Sequence, residues 1–157
     1  MYNPEIPQLL DDLKQDDEAV RDRATRRLWQ IWFGQKGEHG REQLQRADTL
    51  MSFSHILAAE ELLNDLIETH PDFAEAWNRR AILYYTEGKY EKAIADCQKV
   101  VELAPYHFGA WHGLGLCLAE MGEYGEASQA FRRAIAIQPH ALINQRLMLE
   151  CMARLTP

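Results

Sequence analysis

Between Ala74 and His107 the apolar positions fall into two stripes with helical spacing. Trp77, Ala81 and Tyr84 stand at i, i+4 and i+7, and Ala93, Cys97 and Val100 repeat that spacing. Each set therefore lies on one side of an α-helix. Gly88 separates the stripes, where a helix ending in the left-handed conformation is best served by a residue without a side chain. Pro105 ends the second stripe, because proline has no amide hydrogen and clashes with the turn before it. The pattern predicts a first helix over Ala74–Glu87 and a second from about Tyr90. Small Ala81 opposite small Ala93 lets the two antiparallel helices approach closely.

The pattern recurs every 34 residues: Pro71, Pro105 and Pro139; Ala59, Ala93 and Ala127; Trp77 and Trp111; Gly88 and Gly122; Tyr90 and Tyr124. A fixed period of this length is the signature of a helical repeat array. One period on, Gly115 replaces Ala81, Phe131 replaces Cys97 and Ala134 replaces Val100, with the phase unchanged. One period back, Gly40 to Phe73 carries Ala47, Leu50, Ala59, Leu63 and Leu66 in the matching places, but Gln43 replaces tryptophan and Ser54 replaces glycine. The register is therefore least secure around Phe53. Residues 142–157 suffice for one further helix, which would cover the open apolar end of the stack.

These residues and their spacing resemble the tetratricopeptide repeat (TPR), over residues 40–157. The resemblance implies an all-α fold, a right-handed α-solenoid of antiparallel helix pairs. Its repeats would be 40–73, 74–107 and 108–141, with a capping helix at 142–157.

Residues 1–39 lie outside the frame. Asn3-Pro4 reads as a cap and first helical residue, with Ile6, Leu9, Leu10 and Leu13 as an apolar side. A second helix, from about Asp17 to Phe33, would bury Val20, Ala24, Leu28 and Ile31 or Trp32. The string Asp16-Asp17-Glu18-Ala19-Val20-Arg21, followed by Ala24 and Leu28, resembles the second half of a HEAT repeat. Gly34 to Gly40 reads as a linker. The expectation is nine helices, with this hairpin stacked on the first repeat as an N-terminal cap.

Composition narrows the function. A net charge of −7 speaks against a nucleic-acid surface, whose affinity rests on phosphate neutralisation. The one basic cluster, Arg21, Arg23, Arg26 and Arg27, shares its helix with Asp16, Asp17, Glu18 and Asp22 and reads as a solvated face. No apolar run is long enough for a membrane span and no secretory pattern opens the chain, so a cytoplasmic protein is expected. Cys97, Cys117 and Cys151 all fall inside helices and read as reduced core thiols. Among the six histidines no pair stands at i, i+4 and none has finger spacing with cysteine, so neither metal nor cofactor is expected. Gly109, Gly113 and Gly115 lack the strand and lysine of a phosphate loop. No catalytic set is visible, and the protein reads as a non-enzyme.

The resemblance also implies where a ligand would lie: in the concave groove lined by the first helix of each repeat. By position, the candidate partner-binding residues are Asn78, Arg79, Ile82, Tyr85, Gly109, His112, Gly113, Leu116 and Arg146. Gly109 and Gly113 would leave open space there, and Arg79 and Arg146 would bracket it, which suggests an acidic group or C-terminal carboxylate on the ligand. The family's carboxylate clamp for heat-shock chaperones is absent, its places being held by Leu44, Asp48, Arg79, Gly109 and Gly113. The reading is thus an adaptor or assembly factor that binds a protein or peptide segment, in character like short bacterial TPR proteins. The alternative is a structural subunit that self-associates through Trp29, Trp32 and Phe33 or through the outer face of the last helix.

Overall fold

A computed structural model describes residues 3–156 and, among them, nine helices and no strand. They are α1 (Ile6–Asp12), α2 (Glu18–Phe33), α3 (Gly37–Ser52), α4 (Ile56–Thr69), α5 (Ala74–Thr86), α6 (Tyr90–Leu103), α7 (Phe108–Glu120), α8 (Tyr124–Ile137) and α9 (Leu142–Leu155). From α3 onward they form antiparallel pairs stacked side by side, α3 with α4, α5 with α6 and α7 with α8, and α9 lies on α8. One core joins the first two pairs through Leu44, Leu63, Phe73 and Leu83, and a second joins the last two pairs and α9 through Cys97, Leu114, Phe131 and Cys151.

The period is visible in backbone bonds as well as in packing. The indole Nε1 of Trp77 donates to the carbonyl of Pro71 at 2.9 Å, and that of Trp111 to the carbonyl of Pro105 at 2.7 Å. Gln145, in the same place of the last frame, donates to Pro139 at 3.1 Å. These side chains fasten the start of each first helix to the turn before it. At the other end of the pairs, Gly88 and Gly122 adopt φ of 71° and 77°, and Ser54 takes the same conformation at 60°. Each allows the amide after it to close back on the preceding helix: His55 on Leu50, Lys89 on Tyr84 and Glu123 on Leu118, at 2.8, 2.8 and 2.9 Å. Serine accepts backbone strain that glycine avoids, so the irregular first pair keeps the geometry of the others.

Two N-terminal expectations are corrected. The segment expected to link the hairpin to the array is only a turn at 34–36, because α3 starts at Gly37. Gly40 is buried inside α3, where a Cβ would lie 3.3 Å from the Phe73 ring, so it is a packing glycine rather than a linker residue. The hairpin, moreover, covers the first pair only in part: α2 touches α3 and also α5, while Phe53 and Leu57 remain 71% and 82% exposed. It closes on itself through Ile6, Leu13, Ala24 and Leu28, and its remaining apolar side meets Phe108, with Tyr106 and Ile137 alongside. The reason is complementarity. The aromatic side of α2 finds aromatic partners, Tyr106, His107 and Phe108, at the turn between α6 and α7.

Candidate functional site

The first helices of the pairs, α3, α5 and α7, lie side by side, and α2 packs on α3 and α5. Trp29 and Phe33 of α2 cover Arg79, whose guanidinium carbon is 5.7 Å from the Trp29 ring centre and 4.7 Å from that of Phe33. Trp29 also lies over Gly109. A Cβ at that residue would come within 2.9 Å of the Trp29 ring and 3.2 Å of His107. The space left by this glycine is real, and the chain's own tryptophan fills it. Neighbouring Trp32 stacks on His107 with centroids 3.9 Å apart and planes 18° apart.

Beneath these rings lies a closed polar network. Glu75 and His107 are both 0% exposed, with Nε2 of His107 2.9 Å from Oε2 of Glu75. The backbone N–H of Ala110 donates to Nδ1 of His107 at 3.1 Å. That bond assigns the proton to Nε2, so the imidazole donates to the carboxylate. The other oxygen of Glu75 accepts from Asn78 Nδ2 at 3.0 Å and Arg79 Nε at 2.9 Å, and Asp48 stands 3.6 Å from the Arg79 guanidinium. Burial pushes the Asp48 carboxyl upward against the pull of Arg79. A buried carboxylate satisfied on both oxygens is a structural fastener.

The nine residues singled out from the sequence therefore separate into two groups. Asn78, Arg79 and Gly109 sit at the end closed by α2 and are engaged within the chain. Ile82, Tyr85, Gly113 and Leu116 lie beyond it, where Ile82 is 38% exposed and a Cβ at Gly113 would meet only Cys97 Sγ, at 3.6 Å. His112 is held by Asn144 of α9, Nδ1 to Oδ1 at 2.7 Å. Arg146 is 66% exposed on its side chain and faces Glu150 at 3.6 Å. Leu116 and Leu147 also line a cavity of about 360 Å³ together with Glu120 and Glu150. A cleft of about 600 Å³ lies between the hairpin and the array; Glu5, Arg27 and Asp72 are among its lining, and it shares no residue with this strip.

The sequence frame did not bring out Trp29, Trp32, His107 and Glu75 as a unit. The signal was slight: two tryptophans and Phe33 on one side of α2, and a histidine where the preceding repeat ends in Phe73. The three cysteines are free and buried. Hydrogen bonding to Cys117, reinforced by burial, pushes the Cys97 thiol well above the usual range. Among the described residues no group of three or more His, Cys, Asp or Glu is arranged to hold a metal, and no helix is long and apolar enough to cross a membrane.

With this geometry in place, similarity to known proteins can be stated. A family profile described as tetratricopeptide repeat matches residues 72–140. A TPR repeat-containing protein of Rhizobium etli is 35% identical over 96 residues, covering 61% of this chain and 47% of the relative, so the chain spans about half of that protein's length. An uncharacterised protein of Methanocaldococcus jannaschii is 33% identical over 67 residues, covering 43% of this chain and 78% of its own. Among solved structures, the first TPR of Spaghetti (RPAP3) bound to an HSP90 peptide superimposes with a TM-score of 0.70 at 16% identity, covering 72% of this chain and 90% of the other. The Sgt2 TPR domain from Aspergillus fumigatus gives 0.68 at 21% identity, over 73% and 77%.

Proposed function

The chain belongs to the tetratricopeptide repeat family, and from that premise we propose that it is a non-enzymatic adaptor or assembly factor holding a segment of another protein in the open part of its concave groove. One observation carries the reading. Ile82 is exposed, with Tyr85, Leu116 and Leu147 half-buried, whereas Arg79 and Gly109 lie under the aromatic rings of α2. An apolar strip with polar groups beside it suits a bound segment, the strip giving affinity and its flanks specificity. Related TPR structures hold chaperone peptides, but the places of the carboxylate clamp are here Leu44, Asp48, Arg79, Gly109 and Gly113. We therefore do not extend that ligand to this chain. A cytoplasmic setting belongs to the same proposal and is supported by three free, buried thiols.

The test is a photo-crosslinker. With p-benzoylphenylalanine in place of Ile82, extract from the native cells should yield recurrent adducts on one protein segment, and the same group at exposed Leu57 of α4 should not. Identical adducts from both positions, or none from residue 82, would contradict the reading.

A second reading, self-association, is favoured by α9 alone, where Leu142, Leu149 and Leu155 are 67%, 60% and 56% exposed. The tryptophans of α2, its other suggested surface, are taken up within the chain.

A further inference from the structure

The part of the groove left open by α2 is the end at which α3, α5 and α7 finish. None of these three helices has a basic residue in its last turn, so the partial negative charge of their terminal carbonyls meets no cation of its own helix. Carboxylates add to that field. Asp48 lies on the last part of α3, and Glu120 is the final residue of α7 and forms no ion pair among the described residues. Glu150 shares a cavity with Glu120, Leu116 and Arg154, and its one ion pair among the described residues is with Arg146 at 3.6 Å, each side chain more than 60% exposed. The guanidinium nearest the middle of the groove, Arg79, is consumed by Glu75 and Asp48 and covered by two aromatic rings. Arg154 rests over Tyr124, 5.6 Å from the ring centre.

We propose that the occupant of the groove is a partner segment in which apolar side chains are interspersed with Lys or Arg. The apolar side chains lie on Ile82 and Leu116, and the cations reach Glu120 and Glu150. The aliphatic stem of a lysine or arginine also covers apolar surface while its head stays in water, which suits a strip edged by carboxylates. This deepens the groove reading and rests on it. It reverses the acidic ligand suggested by Arg79 and Arg146, because the first is neutralised inside the chain and the second stands at the far rim beside Glu150.

The experiment uses a phage-displayed library of random peptide segments selected on the full chain, followed by fluorescence anisotropy with the selected segments as synthetic peptides. The selected segments should carry more Lys and Arg than Asp and Glu. Raising NaCl from about 0.05 M to about 0.5 M, or replacing both carboxylates (Glu120→Gln with Glu150→Gln), should weaken them roughly fivefold or more. The variant Ile82→Asn, at a partly exposed position and checked to keep the parent's circular dichroism and melting temperature, should lose them. Segments that require Ile82 but are neutral or acidic, or that keep their affinity in salt and in the double glutamine variant, overturn this proposal alone. A selection that yields no segment dependent on Ile82 overturns the groove reading with it.

Discussion

Replacing Gly115 by alanine is expected to destabilise the protein by about 1–3 kcal/mol, although alanine is the better helix former by about 1 kcal/mol. A Cβ at Gly115 would lie 2.5, 2.7 and 2.7 Å from three atoms of the Phe131 ring, and Phe131 is 0% exposed. The ring is buried in the core shared by α7, α8 and α9, so it must shift to admit the methyl group. Alanine at Gly113 should do the opposite. Its added methyl group meets only Cys97 Sγ at an ordinary 3.6 Å, so the gain in helix propensity, up to about 1 kcal/mol, is expected to survive. The preceding repeat shows the remedy for the clash, since it pairs Ala81 with Cys97 where this one pairs Gly115 with Phe131. The double variant Gly115→Ala, Phe131→Cys should therefore cost less than its two single changes together, with a coupling of about 1 kcal/mol or more. Urea denaturation midpoints check all four proteins. Equal midpoints for alanine at 113 and at 115 would show that the α7–α8 contact is wrongly described.

The parts of this fold legible in the sequence are those in which the backbone forces a residue type at a fixed interval. Gly88 and Gly122 mark left-handed turns, Pro71, Pro105 and Pro139 mark helix ends, and small Ala81, Ala93 and Ala127 mark close contacts. Each is dictated locally, and repetition multiplies the signal. Ser54 hid one such turn because a serine can take the conformation at some cost. What the sequence could not convey is which surface receives an apolar helix face. The stripe on α2 announces that Leu28 and Trp32 are buried, but not that they reach Phe108, some eighty residues further on. Gly109 is the clearest instance. Its missing side chain shows that something approaches the backbone, and the approaching group is Trp29 of the same chain. Arg79 likewise has the frame position of a ligand-binding residue, and only the fold shows that Glu75 claims it.

The hairpin should accordingly be integral to the fold. Trp32→Ala is expected to cost about 3–5 kcal/mol, as for other large aromatic truncations in cores. Its ring is 3% exposed, stacks on His107 at 3.9 Å, and lies 5.0 Å from Trp29 and 5.1 Å from Phe108 between centroids. Trp32→Phe should be far milder, within about 1.5 kcal/mol. The indole Nε1 is buried without a hydrogen-bond partner, so removing it relieves an unmet desolvation cost that offsets part of the lost packing. Thermal and urea unfolding of both variants, followed by far-ultraviolet circular dichroism, distinguish the outcomes. A Trp32→Ala protein as stable as the parent would mean that the hairpin hangs free of the array.

Trp29 seated on Gly109 closes part of the protein's own groove, and the strip around Ile82 and Leu116 is the surface we propose for the partner. Proton nuclear Overhauser spectroscopy addresses that seating directly. Strong cross-peaks are expected between the Trp29 ring protons and the Gly109 Hα protons, with those Hα signals displaced by the ring current. Trp29 ring protons that show contacts only within α2, together with Gly109 Hα signals at unperturbed positions, would contradict it.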